Sequence, residues 1–105
     1  MNHVELHGRM GSRVVDRELP SGDVLTTFTI TVDRDGVLRV DRGSSATVDV
    51  IACVVHGRRL AGRVHRLERG TPVSVQGVLR RRFWRGAQGL QSSTEVHVVE
   101  LSVDA

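Results

Sequence analysis

The sequence predicts a small all-β barrel carrying one short helix, folded as a single domain over residues 1–105. Three observations lead there. The apolar residues, 39% of the chain, are mostly Val and Leu, with two Phe, one Trp and no Tyr. Such a Val-rich, aromatic-poor composition favours strands over long helices. Most apolar residues recur at every second position, the period of a half-buried strand. One stretch alone carries a helical period, and it lies between the third and fourth strand segments. A length of 105 residues suits one domain with a modest core.

Residues 2–10 form the first strand, in which Val4 and Leu6 alternate with His3, Glu5 and His7. Gly8 and Gly11 mark a bend or bulge, after which 13–19 continue the strand with Val14, Val15 and Leu19. The turn Pro20-Ser21-Gly22-Asp23 reverses the chain into 24–32, making a hairpin. There Phe28, Ile30 and Val32 share one face, and Thr27, Thr29 and Thr31 the other. Residues 33–45 are polar and predict a flexible loop between the second and third strands. The third strand, 46–55, is almost continuously apolar from Val48, as a strand covered on both sides would be.

Residues 57–69 are the helix. Leu60, Val64 and Leu67 recur at i, i+4 and i+7 beside Ala61, so one stripe faces the core while Arg58, Arg59, Arg63 and Arg66 fall outside it. Gly70 is the expected C-cap, and Gly62 weakens the helix. The fourth strand, 72–84, sets Val73, Val75, Gly77 and Leu79 on one face and Ser74, Gln76, Val78, Arg80, Arg82 and Trp84 on the other. A loop at 86–89, GAQG, returns the chain into the fifth strand, 93–103, with Val96, Val98, Val99, Leu101 and Val103. A helix between the third and fourth of five strands is the layout of the OB-fold, a five-stranded Greek-key barrel that binds oligonucleotides or oligosaccharides.

Charge locates the candidate site. All 15 basic residues are Arg, and 9 of them lie between Arg58 and Arg85, where Glu68 is the only acid. GC-rich coding accounts for the missing Lys but not for the clustering, which points to a polyanion-binding surface. Single strands are held by cations that follow the phosphates and by aromatic faces that stack on bases. Arg80, Arg82 and Trp84 alternate along one strand and so share a face, about 13 Å from end to end. Arg85 continues into the loop, where it could follow the backbone. Arg81 and Phe83 have the opposite parity; Phe83 is expected in the core, and Arg81 at the rim or paired with an acid.

Four segments resemble the bacterial single-stranded DNA-binding protein family: NHVELHGRMGS at the start, LPSGDVLTTFTITV, RGTPVSVQGVLRRRFW and the closing TEVHVVELSV. The order of the pieces makes the resemblance specific, and it extends over nearly the whole chain. All-Arg usage suits a short, divergent, actinobacterial-type member. The resemblance implies an OB-fold that binds single-stranded DNA without sequence preference in replication, repair or recombination, and that assembles as a homotetramer, with a dimer as the alternative. It assigns base stacking to Trp84, basic contacts to Arg80 and Arg82, and flanking basic positions to Arg58 and Arg69. The family's further stacking aromatics fall here at Val50, His56 and near Gly36, and of these only His56 could stack, weakly. The chain stops at Ala105, so the family's acidic C-terminal tail, and recruitment of partners through it, are not expected.

Two other readings remain open: an accessory barrel like primosomal replication protein N, which is dimeric, and an OB-fold oligomerisation module that has lost DNA binding. An enzyme is not expected, since no Ser-His-Asp set or phosphate-loop spacing can be placed. His3 and His7 share a strand face but stand about 13 Å apart, too far to ligate one metal. No metal or other cofactor is expected. No apolar run approaches the roughly 20 residues of a membrane span. With no secretory signal and the lone Cys53, the expected location is cytoplasmic, associated with the nucleoid.

Overall fold

The structure, a computed structural model, describes residues 1–35 and 46–104. Its elements are β1 (Val4–Met10), β2 (Val15–Glu18), β3 (Val24–Asp33), β4 (Val48–His56), α1 (Arg58–His65), β5 (Pro72–Gly86) and β6 (Gly89–Val103). β1 and β2 are the two halves of the predicted first strand. The sheet order is β1-β5-β6-β4-β3-β2, and β1 also pairs with β3, through Arg9 with Thr31 and Met10 with Ile30. That second pairing closes the sheet into a barrel of five strands with one short helix between the third and fourth, the OB-fold. All neighbours are antiparallel except β4 and β6, which run parallel at Cys53–Val96 and Val54–His97. The loop expected at 33–45 begins later, because β3 runs through Asp33; residues 36–45 lie outside the described residues.

Alternation decides what the barrel encloses. Met10, Phe28, Ile30, Cys53, Val55, Val73, Val75, Val96, Val98 and Leu101 fill the interior, and Val64 of α1 plugs one end with Leu60 and Leu67 beside it. The Thr27 and Thr29 face of β3 turns outward as expected. Gly77 shows why a glycine is needed in β5. A Cβ there would meet the His97 carbonyl oxygen and the Val98 Cα, because the β5–β6 ladder shifts register between Gln76 and Gly77. The shift leaves Val99 as an extra residue on β6, so the inward positions change parity from Val96 and Val98 to Leu101.

Several boundaries differ from expectation. The helix covers 58–65 rather than 57–69: the amides of Arg66 and Leu67 bond three residues back, to Arg63 and Val64, which tightens and ends it. Its C-cap is Arg66, not Gly70. Gly70 instead takes φ +87° in a turn, and its amide bonds to the Met10 carbonyl. The GAQG loop is shorter, since the ladder continues to Gly86–Gly89 and only Ala87 and Gln88 turn. Arg85 therefore sits in β5, opposite Leu90, and not in a loop. The third strand is not covered throughout: Val48 and Val50 are exposed, and only Cys53, Val54 and Val55 are buried.

The β5–β6 hairpin outruns the barrel. β1 pairs with β5 only as far as Gly77, and β4 meets β6 only at Val96 and His97. Residues 79–95 therefore form a two-stranded arm. At its root the Asn2 side chain extends the ladder by one step, donating to the Leu79 carbonyl at 2.8 Å and accepting from the Leu79 amide at 2.9 Å. This arm explains why Leu79 is half-exposed and why Phe83, expected in the core, is 58% exposed. Its parity is that of the core residues, but no core lies beneath it.

Candidate nucleic-acid interface

The outer face of the curled sheet and the inner side of the arm enclose a groove of about 380 Å³. Register sets its lining. Val15 pairs with Thr27, Thr27 with Val54, and Val54 with His97, so these four lie on one outward face across β2, β3, β4 and β6. Arg82 and Glu95 close the arm side, and Arg13, Val15 and Arg17 close the opposite bank. A second hollow, of about 270 Å³, adjoins it through His97 and is lined by His56, Val78 and Arg80.

At the lip of the groove, the guanidinium of Arg82 lies over the Trp84 ring, 4.9 Å from its centroid. The pair is a cation–π contact and leaves Trp84 37% exposed. Arg82 Nε also donates to Glu95 Oε1 at 3.2 Å. On the opposite side of the arm, Arg81 lies over Phe83 at 5.5 Å and bonds to the Ser92 hydroxyl, so its partners are not acidic. The split of the segment RRRFWR into two faces thus follows the predicted parity.

The structure gathers some of the predicted site residues and separates others. Arg80, Arg82, Trp84 and His56 lie on or beside one concave face. His56 Nε2 is 2.9 Å from His97 Nδ1, and the rings are tilted by 35°. Arg85 stands one residue beyond Trp84, toward the tip of the arm and on its other side. Arg58 opens α1 and Arg69 lies in the turn before β5; both are exposed and neither lines the groove. Arg13 and Arg17 line it without having been foreseen, and neither forms an ion pair with another described residue. Their strand reads as an ordinary polar edge, and only the curl of β2 across from the arm gives them a place.

His97 holds its proton weakly: burial, then the neighbouring His56, push its pKa below the ordinary value, with Arg80 adding and Glu95 opposing. Its Nε2 is buried, 3.6 Å from Glu95 Oε1. Elsewhere, Asp16 is held below the usual carboxylate range by the Thr26 hydroxyl, at 2.6 Å, and then by His65, at 2.8 Å. That trio ties β2 to α1. Cys53 is buried, its thiol pushed up to about 12 by burial, and is not a reactive nucleophile.

A serine, a histidine and an aspartate do meet, at Ser74, His7 and Asp104, but in the wrong order for nucleophilic catalysis. A triad places the imidazole between hydroxyl and carboxylate. Here Ser74 stands in the middle, 2.6 Å from His7 Nδ1 and donating to Asp104 at 2.7 Å. The bonds clamp both ends of the chain onto β5.

A closed five-stranded barrel whose outward groove is rimmed by arginines and a half-exposed Trp defines an OB-fold protein of the oligonucleotide-binding kind. The model of the single-strand binding protein family matches residues 1–104, and the chain belongs to that family. Single-stranded DNA is the ligand that membership gives it. Among solved structures, the chain is similar to a Plasmodium falciparum SSB in complex with ssDNA. The two are 24% identical, with a TM-score of 0.79 over 100% of this chain and 96% of that one. No curated protein matches the chain. No helix among the described residues is long and apolar enough to cross a membrane.

Proposed function

We propose that this protein binds single-stranded DNA without sequence preference, in replication, repair or recombination, along the groove between the β5–β6 arm and β2. Trp84 stacks on a base at the lip. Arg80 and Arg82 hold phosphates on the arm side, and Arg13 and Arg17 do so on the facing bank. Arg85 extends the basic track toward the tip, and Arg58 and Arg69 add charge on the helix side. His56 contributes a weak polar or stacking contact beside Arg80. The observation that carries the reading is the Arg82–Trp84 pair at 4.9 Å, with the ring still partly open at the edge of an arginine-lined groove. Cation and π-face at one point are what a strand of alternating phosphates and bases requires.

Groove and arm are built within one chain. A homotetramer, or failing that a dimer, would place several such grooves on one particle and lengthen the DNA it holds. The proposed setting is the cytoplasm, at the nucleoid.

Substituting Trp84 by Ala tests the reading. Affinity for a labelled oligo-dT, followed by fluorescence anisotropy, should fall by about 1–3 kcal/mol, the worth of one stacked base. An unchanged affinity would remove Trp84 from the interface. Because Trp84 is the only Trp, quenching of its emission in the native protein reports on the same contact.

A further inference from the structure

Glu95 is out of place on a DNA-binding face. It carries a negative charge, lines the groove, and is 4% exposed. It and Thr26 are the buried polar residues among the described residues. A carboxylate in such a place is costly unless it is paired and hydrogen-bonded, and it repels phosphate.

Its partners explain it. Arg80 stands directly opposite Glu95 in the ladder, yet the carboxylate takes its hydrogen bond from Arg82, the diagonal neighbour. That choice draws Arg82 back along the arm. With Nε engaged at 3.2 Å, the plane of the guanidinium is set, and it lies over Trp84. The terminal NH2 groups stay available for a phosphate. Among the described residues no third strand flanks this part of the arm, and Arg82 is the side chain seen over the indole. On its other side Glu95 approaches His97 Nε2 at 3.6 Å. At that distance the carboxylate acts on His97 Nε2 through its charge rather than through a hydrogen bond and favours a proton there; a proton on Nε2 would leave Nδ1 as the acceptor in the 2.9 Å contact with His56 Nε2.

We propose that Glu95 is a positioning residue of the DNA interface: its buried carboxylate sets Arg82 over the Trp84 ring and orders the His97–His56 pair, so that both ends of the site are arranged before DNA arrives. The proposal rests on the reading of Arg82 and Trp84 as DNA contacts. Ordering these side chains in the free protein removes an entropic cost from binding.

Glu95→Gln, nearly isosteric, separates this role from simple electrostatics. Removing a negative charge from a DNA-binding face should tighten binding if charge alone matters. Loss of positioning should instead weaken oligo-dT binding by about tenfold or more, the scale of one charge-assisted hydrogen bond. It should also reduce the Trp84 quenching at saturation. In an Arg82→Gln background the same substitution should have a much smaller effect, limited to what the His97–His56 pair contributes. Equal or tighter binding by Glu95→Gln, or an undiminished loss in the Arg82→Gln background, would overturn the proposal.

Should Glu95→Gln fail to fold, Arg82→Lys decides. It keeps the charge but has neither the Nε donor nor the planar face. Weakening close to that of Arg82→Gln supports positioning, and native affinity refutes it. Trp84→Ala keeps the two readings apart: if it weakens binding while Glu95→Gln does not, the interface stands and the positioning role alone fails.

Discussion

Arg80, at the scale of single residues, has a role distinct from that of its neighbour. Arg82 is engaged by Glu95 and Trp84, whereas Arg80 forms no ion pair with a described residue and faces the hollow shared by His56 and His97. The proposed binding mode places a phosphate there. Arg80→Ala should therefore weaken binding to oligo-dT and oligo-dC alike, and flatten the dependence of log affinity on log salt by about 0.7. Titrations at several salt concentrations measure this directly, and a slope equal to the native one would take Arg80 out of the phosphate track. The parity that separated Arg80, Arg82 and Trp84 from Arg81 and Phe83 was legible in the sequence, because side chains alternate along any strand. That Phe83 lies in solvent was not. Its exposure depends on where β1 and β4 stop, and those are properties of other segments.

At the scale of elements, the long β5–β6 ladder carries both the core and the site, and Gly77 is the joint between them. The register shift there lets β6 turn Val96 and Val98 inward on one side and Leu101 inward on the other. Gly77→Ala would drive a methyl group into the His97 carbonyl and the Val98 backbone, which cannot rotate away. The expected cost is about 1–3 kcal/mol of stability, read from the urea midpoint. Because the displaced carbonyl is that of His97, oligo-dT binding should fall as well. Full native stability in this variant would mean that the bulge relaxes more easily than its packing implies. The helix is an instructive miss at this scale. Its inward stripe of Leu60, Val64 and Leu67 holds, but periodicity cannot see that the last turn tightens to three-residue bonds. Leu67 still packs on the core from outside the helix.

At the scale of the whole molecule, two linked protonations shape stability. His97 has its pKa below the ordinary value of 6.5 in the fold, so the unfolded chain takes up the proton first as pH falls. Stability should therefore decline below about pH 6.5, and level off once His97 is protonated in the fold as well. Asp16 acts in the same direction at lower pH. Its pKa is depressed by Thr26 and then His65, so its contribution is present above the usual carboxylate value of 3.8 and is lost as pH falls through the depressed one. A melting-temperature profile from pH 8 to pH 3 should show both declines. His97→Gln should remove the upper one, and a native profile flat from pH 7.5 to 5.5 would contradict the placement of His97.

Strand periodicity, the position of the one helical segment and the clustering of arginines were properties of the sequence alone, and they determined the OB-fold and most of its inward faces, and pointed to an arginine-rich side. These depend on residues near one another along the chain, where the geometry of a strand or helix dictates which side chains share a face. Tertiary structure decided the rest. It curled β2 and the residues before it across from the arm so that Arg13 and Arg17 line the groove with Arg82, it left residues 79–95 without flanking strands among the described residues so that Phe83 and Trp84 are exposed on opposite sides, and it buried Glu95 beside Arg82 and His97. Each of these is a relation between segments distant in sequence. It is fixed by the register in which they pair and by where each strand ends, and alternation within a single strand carries neither.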